Sequence, residues 1–132
     1  MRLYLVRHAE AAPGSPDELR PLTPEGRDQA RSLGARLREA GVRADAIITS
    51  PLLRAKETGV LVGKELGLEP IPDERLAPGT SAPMLAQAVS GRGETVIAVG
   101  HQPDCSQIVA ALTGGSEPAF PPAGSVALTL DP

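Results

Sequence analysis

The hexapeptide Thr95-Val96-Ile97-Ala98-Val99-Gly100 constrains this chain more than any other stretch. It is apolar, rich in β-branched residues and shows no polar alternation. Such a run reads as a central strand covered on both faces, as in a parallel sheet. A parallel sheet needs crossover connections, and the rest of the chain supplies them. Residues 2–6 read as a short buried strand, 45–49 as a second and 125–130 as the last. Residues 70–72 read as an edge strand, because Pro70 and Pro72 cannot donate to a central ladder.

Helical signals fill the gaps. Thr23-Pro24 opens a helix, with Thr as N-cap and Pro at the first helical position. Ala30, Leu33, Leu37 and Ala40 follow at helical spacing, and Gly41 sits where a C-terminal cap belongs. Ser50-Pro51 opens a second helix carrying Leu53, Leu61, Val62 and Leu66, which Gly67 stops. Shorter helices are expected at 82–90 and at 104–113, the latter ended by Gly114-Gly115. Residues 7–22 and 73–80 read as loops. Strands alternating with helices imply an α/β fold, a mostly parallel sheet with helices on both faces. Residues 1–132 fit a single domain.

Composition removes several function classes. The formal net charge is −3 and no run of Lys or Arg forms a stripe, which disfavours nucleic acid and anionic membranes as partners. The aromatic fraction is 2%, so the core is aliphatic and stacking platforms for single-stranded nucleic acid are absent. The lone cysteine, Cys105, rules out an intramolecular disulfide and reads as a small buried apolar side chain. The apolar run near the N-terminus is too short for a signal peptide, and no stretch is long enough to cross a bilayer. A soluble cytoplasmic protein is the expectation.

In an open α/β sheet, ligands bind beyond the carboxyl ends of the strands. Here the first strand ends in Arg7-His8, the second in Thr49-Ser50 with Arg54 a turn later, and the 95–100 strand in His101. Each residue alone has a bland explanation: Arg7 and Arg54 as surface cations, His8 as a structural histidine, His101 as a helix cap. All of them falling at one sheet edge favours a site. Phosphoryl transfer fits, because a phosphoryl group needs dispersed positive charge and donors on its non-bridging oxygens. Two guanidiniums supply forked donors and a second imidazole, His101, supplies another. The attacking group is then neutral His8, its other ring nitrogen donating to a backbone carbonyl. A metal site fits poorly: His8, Glu10, His101 and Asp104 are the candidate ligands, and the nearby arginines repel a cation. The G-x-S-x-G elbow and the G-x-x-x-x-G-K-[ST] loop are both absent.

The same residues resemble a known family. Leu5-Val6-Arg7-His8-Ala9-Glu10 is similar to the Arg-His-Gly signature of the histidine phosphatase (phosphoglycerate mutase-like) superfamily, with Ala9 in place of Gly. Leu22-Thr23-Pro24-Glu25-Gly26 resembles its L-T-x-x-G helix start. Ser50 to Thr58 resembles its S-P-x-x-R-A-x-x-T segment, and Gly100-His101 its second-histidine motif. The resemblance implies an α/β/α sandwich and a phosphohistidine intermediate on His8. It also implies a phosphate pocket of Arg7, Arg54 and His101, and no metal or organic cofactor. The short stretch before residue 95 lacks the lid insertions of the larger members. The chain therefore looks most like the compact SixA-type phosphohistidine phosphatases, in which the Arg20–Thr23 stretch also matches and implies that Arg20 and Thr23 help bind substrate. The family's proton donor has no clear counterpart. Glu10, Asp17, Glu18, Asp73 and Glu74 are the candidates. The implied substrate is a phosphorylated protein. A small sugar or nucleotide phosphate is the alternative, and a non-catalytic phosphate-binding module is the rival from another class.

Overall fold

The computed structural model describes residues 1–131. Five strands form one sheet in the order β3-β2-β4-β1-β5. They are β1 (Arg2–Arg7), β2 (Ala46–Thr49), β3 (Pro70–Pro72), β4 (Thr95–Gly100) and β5 (Ser125–Thr129). β4 pairs in parallel with both β1 and β2, and β2 in parallel with β3. β5 runs antiparallel to β1 and closes that edge. The hexapeptide of β4 is thus a central strand, and the proline-bearing β3 is an edge.

Four helices cover the sheet: α1 (Pro24–Glu39), α2 (Leu53–Leu66), α3 (Ala82–Val89) and α4 (Asp104–Thr113). Period-two alternation along the strands sorts the core into two layers. Val96 and Ala98 of β4 join Leu3 and Leu5 of β1, packing against Leu85, Ala88, Ile108 and Val109 of α3 and α4. Ile97 and Val99 join Val6, packing against Ala30, Leu33 and Val62 of α1 and α2. The result is a three-layer α/β/α sandwich with an aliphatic core on each face.

Local signals act where the sequence places them. Thr23 Oγ1 accepts from the Gly26 amide at 2.9 Å and caps α1. Gly67 takes a left-handed φ of 74° and ends α2. Three details differ from the sequence reading. α2 begins at Leu53, because the Ser50 amide is still held by the sheet through the Val99 carbonyl at 2.9 Å. The 7–22 loop is also not featureless. Asp17–Leu19 form a 3-10 turn, and Ala11 bridges Leu22 antiparallel. Neither carries a periodic signal, because both are held by contacts with α1 and α2. A second 3-10 turn, Glu74–Leu76, sits in the 73–80 loop, with Leu76 buried in the core.

Candidate active site

Register brings the chemistry together. The β1–β4 ladder pairs Arg7 with Gly100, and the β2–β4 ladder pairs Thr49 with Val99. His8, Ser50 and His101 therefore leave three neighbouring strands at one edge. The His8 amide extends the ladder by donating to the Gly100 carbonyl at 3.0 Å. β1 and β4 are neighbours, yet α1 and α4, which follow them, cover opposite faces. Such a divergence opens a crevice at the carboxyl edge, where ligands of α/β folds bind. A cavity of about 480 Å³ lies there, lined by Arg7, His8, Glu10, Arg20, Arg54, His101 and five further residues.

Each of these side chains is oriented by a specific partner. His8 Nδ1 lies 2.7 Å from the Ala9 carbonyl. A carbonyl only accepts, so Nδ1 carries the proton and Nε2 keeps its lone pair. The His8 and His101 rings meet edge to face with centroids 5.0 Å apart. His101 Nε2 lies 2.7 Å from Ser50 Oγ. Arg7 Nη1 donates to the Phe120 carbonyl at 2.8 Å. Arg54 Nη1 donates to the Asp17 carbonyl at 2.9 Å and Nη2 to Asp17 Oδ2 at 3.2 Å. The Nε–H groups of Arg7 and Arg54 are buried and have no partner among the described residues. A buried unpaired donor costs about 1–3 kcal/mol.

The electrostatics follow from this packing. Burial pushes His8 down from 6.5 to about 4, and Arg54 and Arg7 push the same way. His101 falls to about 3 through burial first, then through His8 and Arg54. Both rings are therefore neutral near pH 7. Cys105 is buried and pushed up to about 12, chiefly by desolvation, so it is a packed thiol and not a nucleophile.

The remaining sequence candidates separate on geometry. Arg20 lines the cavity, whereas Thr23 is not among the lining residues. Its hydroxyl is engaged in the α1 cap and in donating to Glu10 Oε2 at 2.8 Å. Of the five carboxylates, only Glu10 is among the lining residues. Asp17 bridges Arg20 and Arg54. Glu18 and Glu74 are exposed. Asp73 is paired with Arg75 and Arg92, and the Arg75 hydrogen bond holds its carboxyl down at about 2. Among the described residues, no three His, Cys, Asp or Glu side chains cluster as metal ligands.

Two supports were not evident in the sequence. The Phe120 carbonyl that holds Arg7 sits 113 residues away and carries no side-chain signal. Thr58 is buried, and its hydroxyl accepts from the Ala9 amide at 3.0 Å while donating to the Arg54 carbonyl at 2.8 Å. Its place as the closing Thr of the Ser50–Thr58 segment marked the residue but not these bonds. Gly26 also gains a reason: a Cβ there would collide with the Glu10 carbonyl.

A neutral imidazole beside two guanidiniums with unpaired donors, at the carboxyl edge of a mostly parallel sheet, suits an enzyme acting on phosphate-bearing substrates. Comparison with known proteins agrees. The sequence model of the histidine phosphatase superfamily (branch 1) matches residues 3–78. The phosphohistidine phosphatase SixA of Escherichia coli strain K12 is 31% identical over 141 aligned positions, spanning 99% of this chain and 86% of its own. An uncharacterized protein of Picosynechococcus sp. is 35% identical over 123 residues, spanning 87% of this chain and 74% of its own. Among solved structures, the protein histidine phosphatase SixA complexed with tungstate superposes with a TM-score of 0.90 at 30% identity, covering 99% of this chain and 89% of that one. The chain belongs to the histidine phosphatase superfamily, on its compact SixA-like side, and is a phosphatase. No helix among the described residues is long and apolar enough to cross a membrane.

Proposed function

We propose that this phosphatase hydrolyses phosphohistidine on a protein partner in the cytoplasm, without a metal, through a covalent phosphohistidine on His8. The observation that carries the reading is the Nδ1 contact of His8 with the Ala9 carbonyl at 2.7 Å, which leaves Nε2 as the free nucleophile beside Arg7 and Arg54. In the first step His8 Nε2 attacks phosphorus and the bond from phosphorus to the leaving imidazole breaks. That imidazole takes a proton, and Glu10 is our candidate donor because it lines the cavity. In the second step water attacks the phosphoryl group on His8 and gives a proton back to Glu10, the P–Nε2 bond breaks with its electron pair returning to Nε2, and inorganic phosphate leaves. Arg7, Arg54, Arg20 and His101 hold the non-bridging oxygens, and His101 becomes protonated as the dianion enters.

The related SixA structure was determined with tungstate, a tetrahedral oxyanion like phosphate, which supports an anion pocket of this kind. The test compares wild type with His8→Ala in excess chelator, on a phosphohistidine protein and on a chromogenic phosphomonoester. Turnover of the phosphoprotein in chelator, abolished in His8→Ala, is the expected result. Activity lost to the chelator overturns the metal-free mechanism. Turnover of the small ester alone replaces the phosphoprotein with a small phosphomonoester as substrate. Binding of vanadate without hydrolysis of either leaves a phosphate-binding module.

A further inference from the structure

The 3-10 turn Asp17–Leu19 lies beside the cavity, and none of its residues is buried. Asp17 Oδ1 accepts from Arg20 Nε at 2.9 Å, and Oδ2 accepts from Arg54 Nη2 at 3.2 Å. The Asp17 backbone carbonyl takes Arg54 Nη1 as well. One residue thus joins two cavity arginines, one from the loop and one from α2. The Asp17 side chain is 62% exposed, while that of Arg54 is 7% exposed and that of Arg20 is 25% exposed. The carboxylate therefore contributes orientation and buries almost nothing itself.

We infer that Asp17 is a positioning residue, coupling Arg20 to Arg54 so that both guanidiniums meet one phosphoryl group. The inference rests on the phosphatase reading above and adds to it a residue that does not touch the substrate. Geometry separates this role from two others. A proton donor needs a free protonated oxygen. Both Asp17 oxygens are occupied by cations, and hydrogen bonds from Arg20 and then Arg54 hold the carboxyl below its usual range. A competing anion would occupy the donors that the substrate needs. Asp17 instead accepts one N–H from each of Nη1 and Nη2 of Arg54, and each nitrogen keeps a second N–H for another acceptor. Without the carboxylate each arginine keeps one bond among the described residues, Arg54 to the Asp17 carbonyl at 2.9 Å and Arg20 to the Ala12 carbonyl at 3.2 Å, and Arg20 is the more exposed of the two. Without the carboxylate, Arg20 gains rotamer freedom that substrate binding must then remove. Immobilising one long side chain corresponds to about 3- to 10-fold in affinity.

The experiment measures KM and kcat for a chromogenic phosphomonoester and the inhibition constant of vanadate. The proteins are wild type, Asp17→Ala, Asp17→Glu, Arg20→Ala and the Asp17→Ala/Arg20→Ala pair. Asp17→Ala is expected to raise KM and the vanadate constant by about 3- to 10-fold, with a smaller change in kcat. Asp17→Glu is expected to recover part of the loss, and Asp17→Ala to add nothing once Arg20 is gone. Tighter vanadate binding in Asp17→Ala overturns the inference in favour of a competing anion. Loss of kcat with an altered pH profile and unchanged KM overturns it in favour of a proton donor. An undiminished effect in the Arg20→Ala background overturns the coupling. A wild type that binds no vanadate overturns the phosphatase reading and this inference together, whereas failure of the mutant pattern alone overturns only this one.

Discussion

The Thr58 hydroxyl accepts the backbone N–H of Ala9 at 3.0 Å, although 49 residues separate them in the chain. The same oxygen donates to the Arg54 carbonyl at 2.8 Å, so the loop that carries His8 is tied to the helix that carries Arg54. Both groups are buried and water cannot replace either partner. One hydroxyl thereby ties the backbone next to His8 to the backbone of Arg54.

Replacing Thr58 with Val keeps the shape and removes the hydroxyl. The Ala9 amide is then buried without a partner, which costs about 1–3 kcal/mol. Chemical denaturation should show that loss for Thr58→Val and a smaller one for Thr58→Ser. The wild-type hydroxyl has a second consequence for catalysis. Thr58→Val should also lower kcat/KM for a phosphomonoester, because the two groups lose their common anchor.

Gly26 carries the close approach between α1 and the His8 loop. A Cβ there meets the Glu10 carbonyl, which itself accepts from the Thr23 amide at 3.0 Å. Neither backbone can yield without breaking the α1 cap. Gly26→Ala is expected to destabilise the fold by about 1–3 kcal/mol by overpacking, despite alanine's better helix propensity. A denaturant midpoint at or above that of wild type would show that the loop relaxes freely.

Stability should fall on acidification through a window that the two histidines define. Their folded values are about 4 and about 3, against about 6.5 in an unfolded chain. Below pH 6.5 the unfolded chain takes up protons that the native rings refuse, so stability drops until the folded values are reached. Above pH 6.5 this contribution is flat. Unfolding curves of wild type and of His8→Gln/His101→Gln, measured between pH 4 and 7, should show a shallower slope in the double variant. Equal slopes would mean that the rings titrate normally.

Cys105 tests the packing of the β4–α4 junction. Its thiol is buried against the core and pushed up to about 12. It should resist a thiol-specific reagent in the native state and react once denatured. Rapid labelling of native protein would place the thiol in an open environment that the structure does not have.

The sequence by itself determined the order of strands and helices and the edge at which the polar residues gather. Apolar runs, proline placement and glycine stops act locally, and the carboxyl-edge rule turns them into a location for His8, Arg54 and His101. The same local physics could not choose among Glu10, Asp17, Glu18, Asp73 and Glu74, because a loop carboxylate has no period. Only tertiary partners distinguish their surroundings: Arg75 and Arg92 pair with Asp73, Arg20 and Arg54 pair with Asp17, and Glu10 lines the cavity. The antiparallel direction of β5, the Phe120 carbonyl behind Arg7 and the Thr58 link were likewise decided only in three dimensions. Each is a contact between segments distant in the chain, and such contacts are set by how the layers pack rather than by any neighbouring residue.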